Sequence, residues 1–187
     1  MQYVKGIEGY HAKRPSAITL GKFDGLHRGH ELLVERVIYH QECDDVDGIV
    51  FAFDMGPLFA KLNKEPDFLL SSKEKAERLD GRIDYFVDCP FEDCISSMSA
   101  EDFIKQVLVG TFQAKFIVVG KDFRFGYQKK GDYRMLQEYS ETYGYQVEVF
   151  DKILYEGREI SSTFIKEELK KGNSKLVNEL LGYEYGK

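Results

Sequence analysis

The chain has 187 residues, with 26 Lys and Arg against 32 Asp and Glu, for a formal net charge of −6 at pH 7. That length is most simply one domain, residues 1–187, large enough to bury about 70% of the surface its unfolded chain would expose. The acidic balance excludes a general attraction to nucleic acid or an anionic membrane, and no apolar run approaches the ~20 residues that span a bilayer.

In chain order, Met1 to Arg14 lacks the apolar core of a signal peptide. Ala17 to His30 is the first informative stretch. Ile18 and Leu20 read as a short buried strand that ends at Gly21, and Leu32, Leu33, Val37 and Ile38 fall close to helical spacing, so a helix is expected from Glu31 to His40. Gly21, Gly25 and Gly29 between them supply backbone freedom and let a ligand approach the main chain. A helix start also presents unpaired N–H groups and the positive end of the macrodipole, which favour phosphate. His27 and His30, three apart, share one face of its first turn, where two imidazoles can donate to phosphate oxygens. The Gly-Lys-Ser/Thr ending of a Walker loop is missing, and no third zinc ligand stands nearby in sequence, so metal ligands stay unassigned. The plainer alternative is two histidines that merely decorate a helix start.

Val46 to Phe53 is a second buried strand, closed by Asp54-Met55-Gly56-Pro57. Ser71 to Glu74 has a capping-box pattern, with a helix continuing over Lys73 to Leu79. Ile83 to Val87 is a third strand, stopped by Pro90, and Ser99 opens a helix through Val109. Lys115 to Val119 is a fourth strand closing on Gly120; a helix follows over Asp132 to Tyr143, and Gln146 to Phe150 is extended. Two short strands flank Glu156-Gly157, and helices run from Ser161 to Gly172 and from Asn173 to Leu181. This alternation predicts an α/β domain with a parallel sheet and helices on both faces, its ligands beyond the carboxyl ends of the strands. Cys43, Cys89 and Cys94 are odd in number and lack Cys-x-x-Cys spacing, which points to reduced thiols and a cytoplasmic setting.

Two later stretches also carry chemistry. In Gly120 to Asp132, Phe123 and Phe125 alternate with Arg124, so an extended backbone aims both rings one way and the guanidinium the other. The rings suit a flat heterocycle and Arg124, Lys129 and Lys130 suit phosphate, or else this is a surface loop anchored by its phenylalanines. In Ile160 to Leu169, Ser161, Ser162 and Thr163 begin a helix and Lys166 lies one turn on. The group serves either to cap the helix or to cradle phosphate oxygens.

Gly21 to His30 resembles the His-x-Gly-His signature of the nucleotidylyltransferase superfamily. Its Phe23-Asp24-Gly25-Leu26-His27 form is most like the adenylyltransferase module of the bacterial bifunctional riboflavin kinase/FAD synthetase family. Gly120 to Asp132 resembles that family's Gly-x-Asp-Phe-Arg-Phe-Gly-x-x-x-x-Gly-Asp segment, and Ile160 to Lys166 its Ile-Ser-Ser-Thr-x-Ile-Arg motif, with Lys166 where arginine is usual. The resemblance implies a Rossmann-like fold and transfer of AMP from ATP to FMN, giving FAD and pyrophosphate, with Mg²⁺ accompanying ATP. It assigns His27, His30 and Lys166 to catalysis, and Gly21, Phe23, Asp24, Gly25, Gly29, Ser161, Ser162 and Thr163 to the nucleotide. Asp54, Pro57, Asp122, Phe123, Arg124, Phe125 and Gly131 fall on the flavin side. Leu180-Leu181-Gly182-Tyr183 resembles the junction after which the family's riboflavin kinase domain begins, and that domain is expected to be absent. Phe53 to Pro57 departs from the family's Phe-Asp/Glu-Pro-His-Pro at the acceptor side. Two alternatives therefore stand: an adenylyl- or cytidylyltransferase acting on another phosphorylated small molecule, and a flavin- or nucleotide-binding module without turnover. The expected partners are small molecules only; the oligomeric state is not legible.

Overall fold

The computed structural model describes residues 1–186. Ten strands and eight α-helices follow in order: β1 (Gln2–Lys5), β2 (Ser16–Gly21), α1 (Arg28–Cys43), β3 (Asp47–Asp54), α2 (Gly56–Lys61), α3 (Ser72–Leu79), β4 (Tyr85–Pro90), α4 (Asp93–Ser96) and α5 (Ala100–Asp102). Then come β5 (Ala114–Gly120), β6 (Arg124–Phe125), β7 (Gly131–Asp132), α6 (Tyr133–Tyr143), β8 (Gln146–Phe150), β9 (Leu154–Tyr155), β10 (Arg158–Glu159), α7 (Ser162–Lys170) and α8 (Ser174–Leu181).

Six strands form one parallel sheet in the order β1-β4-β3-β2-β5-β8. Residues alternate across it. Ile18, Ile49, Phe51 and Ile117 face Phe103, Ile104, Leu108 and Phe112 on one side. On the other, Ala17, Phe116 and Val118 meet Leu33 and Val37 of α1, and Val50 and Phe86 meet Val34 and Leu79. Each large side chain buried this way contributes roughly 1.5–3 kcal/mol. α7 and α8 form a smaller cluster of their own around Ile165, Val177 and Leu180, which Leu69 joins. The chain builds outward from β2 through β3 to β4, then crosses back to β5 on the other side of β2. The strand order therefore reverses between β2 and β5, and the crevice beyond their carboxyl ends is where such sheets bind ligands.

Several elements differ from the expectation. β1 pairs along β4 at the sheet edge, but it has only four residues and is largely exposed, so it carries no apolar pattern to read. The helix expected from Ser99 is α5 for three residues and then π-helical from Phe103 to Thr111, capped by the Ser99 side chain. The strand expected over Ile83 to Val87 is β4, shifted to Tyr85–Pro90, with Pro90 as its last residue, paired with Asp54. Asp54 closes β3 by accepting from the Gly56 N–H at 2.9 Å, which starts α2 where only a turn was expected. No helix among the described residues is long and apolar enough to cross a membrane.

α1 is fastened to the β8 edge by Glu148, which accepts from Arg36 Nε at 2.5 Å and Nη2 at 3.0 Å and faces His40 Nε2 at 2.6 Å. His40 itself stacks on Phe116 with ring centres 3.9 Å apart. Burial alone would push the Glu148 carboxyl up; the bonds from Arg36 and His40 outweigh it and hold the group below its ordinary value. A carboxylate depressed in the folded state stabilises fully above its unfolded pKa and loses that contribution as pH falls through the folded one. Glu148→Gln is expected to cost about 1–3 kcal/mol in urea unfolding near neutral pH. That deficit shrinks as pH falls below the ordinary carboxylate range and through the depressed value of the folded state, where the wild-type carboxylate is itself protonated.

Candidate active site

Beyond Gly21 and Gly120 lies a cleft of about 640 Å³, and its walls include Gly21, His27 and His30 on one side and Ser161 and Ser162 on another. The turn that brings the histidines there is strained: Phe23, Gly25 and Leu26 have φ of +48°, +89° and +39°. Burial of Phe23 and Leu26 offsets that strain. Gly25, at φ +89°, holds a conformation that favours glycine, and an added Cβ would lie 2.7 Å from Leu69 Cδ1, so the buried leucine would also have to shift.

α1 starts in the cleft wall, and its N-cap residue His27 makes no side-chain capping bond. By contrast Ser71, Asp132 and Ser161 cap α3, α6 and α7. The one long helix whose start faces the cleft thus keeps its leading N–H groups free of side-chain partners. His27 and His30 stack at 3.7 Å with planes 20° apart, and both Nδ1 atoms are buried without a hydrogen-bond partner. Burial, with Lys152 adding to it against Asp24, lowers the His27 pKa to about 4. His30, deep in the cleft wall, is held well down by burial first, then by His27 and Lys75. Near neutral pH both rings are uncharged, each with an orphaned nitrogen that an anion would favour protonating.

Asp24 accepts from the Leu69 N–H at 2.7 Å and pairs with Lys166 Nζ at 2.7 Å, and Lys166 also donates to the Asp67 carbonyl. The turn after β2 is thereby tied to α7. Ser161 caps α7 by accepting from Phe164 N–H at 3.2 Å, so capping accounts for one of its lone pairs while Ser161 still borders the cleft. Phe23, Asp24, Gly29, Asp122, Phe123, Arg124 and Phe125 also line the cleft. Phe123 and Phe125 stack at 5.5 Å, 16° apart; Phe125 is buried against Phe103, so it anchors the loop as well. Asp122 pairs with Lys152 at 3.0 Å.

Other expected residues stand outside the lining. Lys166 reaches the cleft only through Asp24, and Thr163 is exposed beyond it. Gly25 packs on Leu69, and Asp54 turns onto Gly56 while its neighbours Met55 and Leu58 face the cleft in place of Pro57. Gly131 packs against Ala100 and the Phe125 ring, where an added Cβ would approach both to 2.8 Å.

Some site residues were missed in the sequence. Phe53, Phe91 and Phe103 give the cleft an apolar wall. Lys75 is buried behind the turn and donates to the Lys22 carbonyl at 3.1 Å; burial lowers its pKa against the pull of Asp24, Asp88 and Asp54. One signal was available, since Lys75 and Leu79, four apart, share the buried face of α3. Among the described residues no group of three or more His, Cys, Asp or Glu is disposed to hold a metal ion.

The depressed His27 makes folding pH-dependent. Between the folded value of about 4 and the ordinary 6.5, the unfolded chain binds a proton that the folded chain does not. Stability is therefore expected to fall by up to about 3 kcal/mol as pH drops through that window. In His27→Asn the fall should be smaller, read from unfolding midpoints at a series of pH values.

The FAD synthetase family model matches residues 10–164. The chain is 32% identical over 97% of its length to the bifunctional riboflavin kinase/FMN adenylyltransferase of Buchnera aphidicola subsp. Acyrthosiphon pisum, covering 59% of that protein. It is 31% identical over 99% of its length to the Escherichia coli K12 protein of the same name, covering 60% of it. It thus spans about 60% of the length of these curated relatives. A crystal structure named macrolide-efflux protein, from Streptococcus pneumoniae, superposes with a TM-score of 0.82 at 26% identity, covering 98% of this chain and 70% of that one. The six-stranded parallel sheet is consistent with a nucleotidylyltransferase fold. By its matched residues and its relatives, the chain belongs to the FAD synthetase family.

Proposed function

We propose that the chain is an FMN adenylyltransferase, joining ATP and FMN to give FAD and pyrophosphate. The observation that carries this reading is the convergence on one cleft of two helix starts, α1 with its paired imidazoles and uncapped N–H groups and α7 with Ser161 and Ser162. In this reading an FMN phosphate oxygen attacks the α-phosphorus of ATP in line, forming the new P–O bond as the bond from the α-phosphorus to the bridging oxygen breaks and pyrophosphate leaves. A phosphate monoester is already an anionic nucleophile, so positioning and neutralisation of charge supply the catalysis.

His27 and His30 contact the ATP phosphates and take up protons as negative charge builds beside them. Ser161 and Ser162 hold the departing pyrophosphate at the start of α7, while Lys166 stays on Asp24 and lends positive charge from behind the turn; Thr163 would join them only from the cleft's outer rim. Lysine keeps the charge of the family's usual arginine but not its two-pronged geometry. Phe123, Phe125, Asp122 and the apolar wall take the flavin ring. Mg²⁺ would enter with ATP as part of the substrate and would neutralise some of the phosphate charge beside His27, His30 and Ser161. The setting is the cytoplasm, which the three unpaired cysteines suit.

The test is chromatography of products after incubation with MgATP and FMN. FAD is expected, and His27→Asn or His30→Asn should lower its rate of formation by about 100-fold or more. Residues 1–187 align with about 60% of the length of the bifunctional relatives, and these residues are expected to yield no FMN from riboflavin and MgATP. Bound FMN with no FAD would overturn the reading in favour of a binding module.

A further inference from the structure

A second cavity, of about 330 Å³, shares no lining residue with the first and lies against Leu26 of the turn. Arg28, Arg78 and Arg82 converge on it with a single lining carboxylate, Glu31. Arg28 sits between the two cleft histidines in sequence, but successive helical residues diverge by about 100°, which sends it elsewhere. Two of the three guanidiniums are already fixed in place. Arg82 is gripped by Glu31 and, at 2.6 Å, by Glu35. Arg78 lies 3.4 Å over the Tyr183 ring. The Arg28 stem runs beside Gly182, where an added Cβ would stand 3.5 Å from its Cγ.

Arg82 has its charge answered by the two glutamates. Among the described residues Arg28 and Arg78 form no close ion pair or hydrogen bond, Arg78 being opposed only at longer range by Glu74 one turn away, so the cavity keeps positive character in a chain whose net charge is −6. We propose that this cavity binds a phosphate-bearing anion. Guanidinium forks match phosphate oxygens bidentately, and Arg78 and Arg82, held in advance by stacking and ion pairing, lose little freedom on binding. The volume lies within the range of small-ligand sites, sufficient for a diphosphate or a nucleoside monophosphate. The Tyr183 hydroxyl donates to the Gly25 carbonyl at 2.7 Å, so the site is in direct contact with the turn that carries His27 and His30.

The test is calorimetric titration of the full chain at low salt with inorganic pyrophosphate and, separately, with AMP. Wild type is expected to bind two equivalents of at least one of them. The Arg28→Ala/Arg78→Ala variant should lose one equivalent or weaken it at least about tenfold, and His27→Asn/His30→Asn should keep it. Loss for AMP alone identifies the ligand as a nucleotide, and loss for both identifies it as the phosphate group itself. Wild-type binding of both ligands by the arginine variant overturns the proposal and leaves the adenylyl-transfer reading standing. Retention of every site by the histidine variant tells against that reading instead. Should the double variant fail to give a native circular dichroism spectrum, Arg28→Glu at an exposed position must show the same loss, or the proposal fails.

Discussion

The ion pair between Asp24 and Lys166, 142 residues apart in sequence, is the tie on which the site depends. Asp24 sits in the turn after β2, and its second oxygen accepts from the Leu69 N–H. Lys166 sits in α7, which packs with α8 around its own small core rather than on the main sheet. Without this tie, Leu69 and the short span from β8 would fix where α7 begins relative to α1. With it, the two helix starts face each other across one cleft. The pair is about four-fifths buried, a setting in which removing one partner leaves a costly unpaired charge.

The second constraint is electrostatic. A polyphosphate site needs positive character, yet a permanent cation on every wall would repel its neighbours while the site is empty. Here two of the groups facing the cleft are imidazoles held neutral chiefly by burial, with Lys152 also opposing protonation of His27, and His27 and Lys75 opposing that of His30. In the proposed reading their charge is latent, drawn out when the phosphates of a bound nucleotide lie against them. The uncapped start of α1 adds fixed partial charge at no such cost.

Much of this was legible in the chain because it is local. The β2 strand, its glycine turn and the helix after it are a contiguous run whose polarity pattern and spacing dictate strand, turn and helix. Gly25 and Gly126 illustrate why: each has positive φ and a close neighbour, and an added Cβ at Gly126 would come within 2.6 Å of Ala100. What the sequence hid depends on tertiary packing. Lys75 looks like any helix lysine until the fold buries it, and the four-residue β1 acquires meaning only beside β4. The π-helical turn at Phe103 to Thr111 has no local signature at all, since its residues would serve an α-helix equally well. Lys166 was read as reaching towards phosphate from its place near the start of α7; its actual partner, Asp24, lies at the opposite end of the chain.

The central claim is that paired, neutral imidazoles become the charged lining of a phosphate site. Nitrogen-15 NMR of the imidazole rings near pH 6, before and after saturation with MgATP, tests it most directly. The ring signals of His27 and His30 should move towards their protonated positions as ATP binds. Saturation with ATP that leaves both sets of signals at their neutral, free-protein positions would contradict the account.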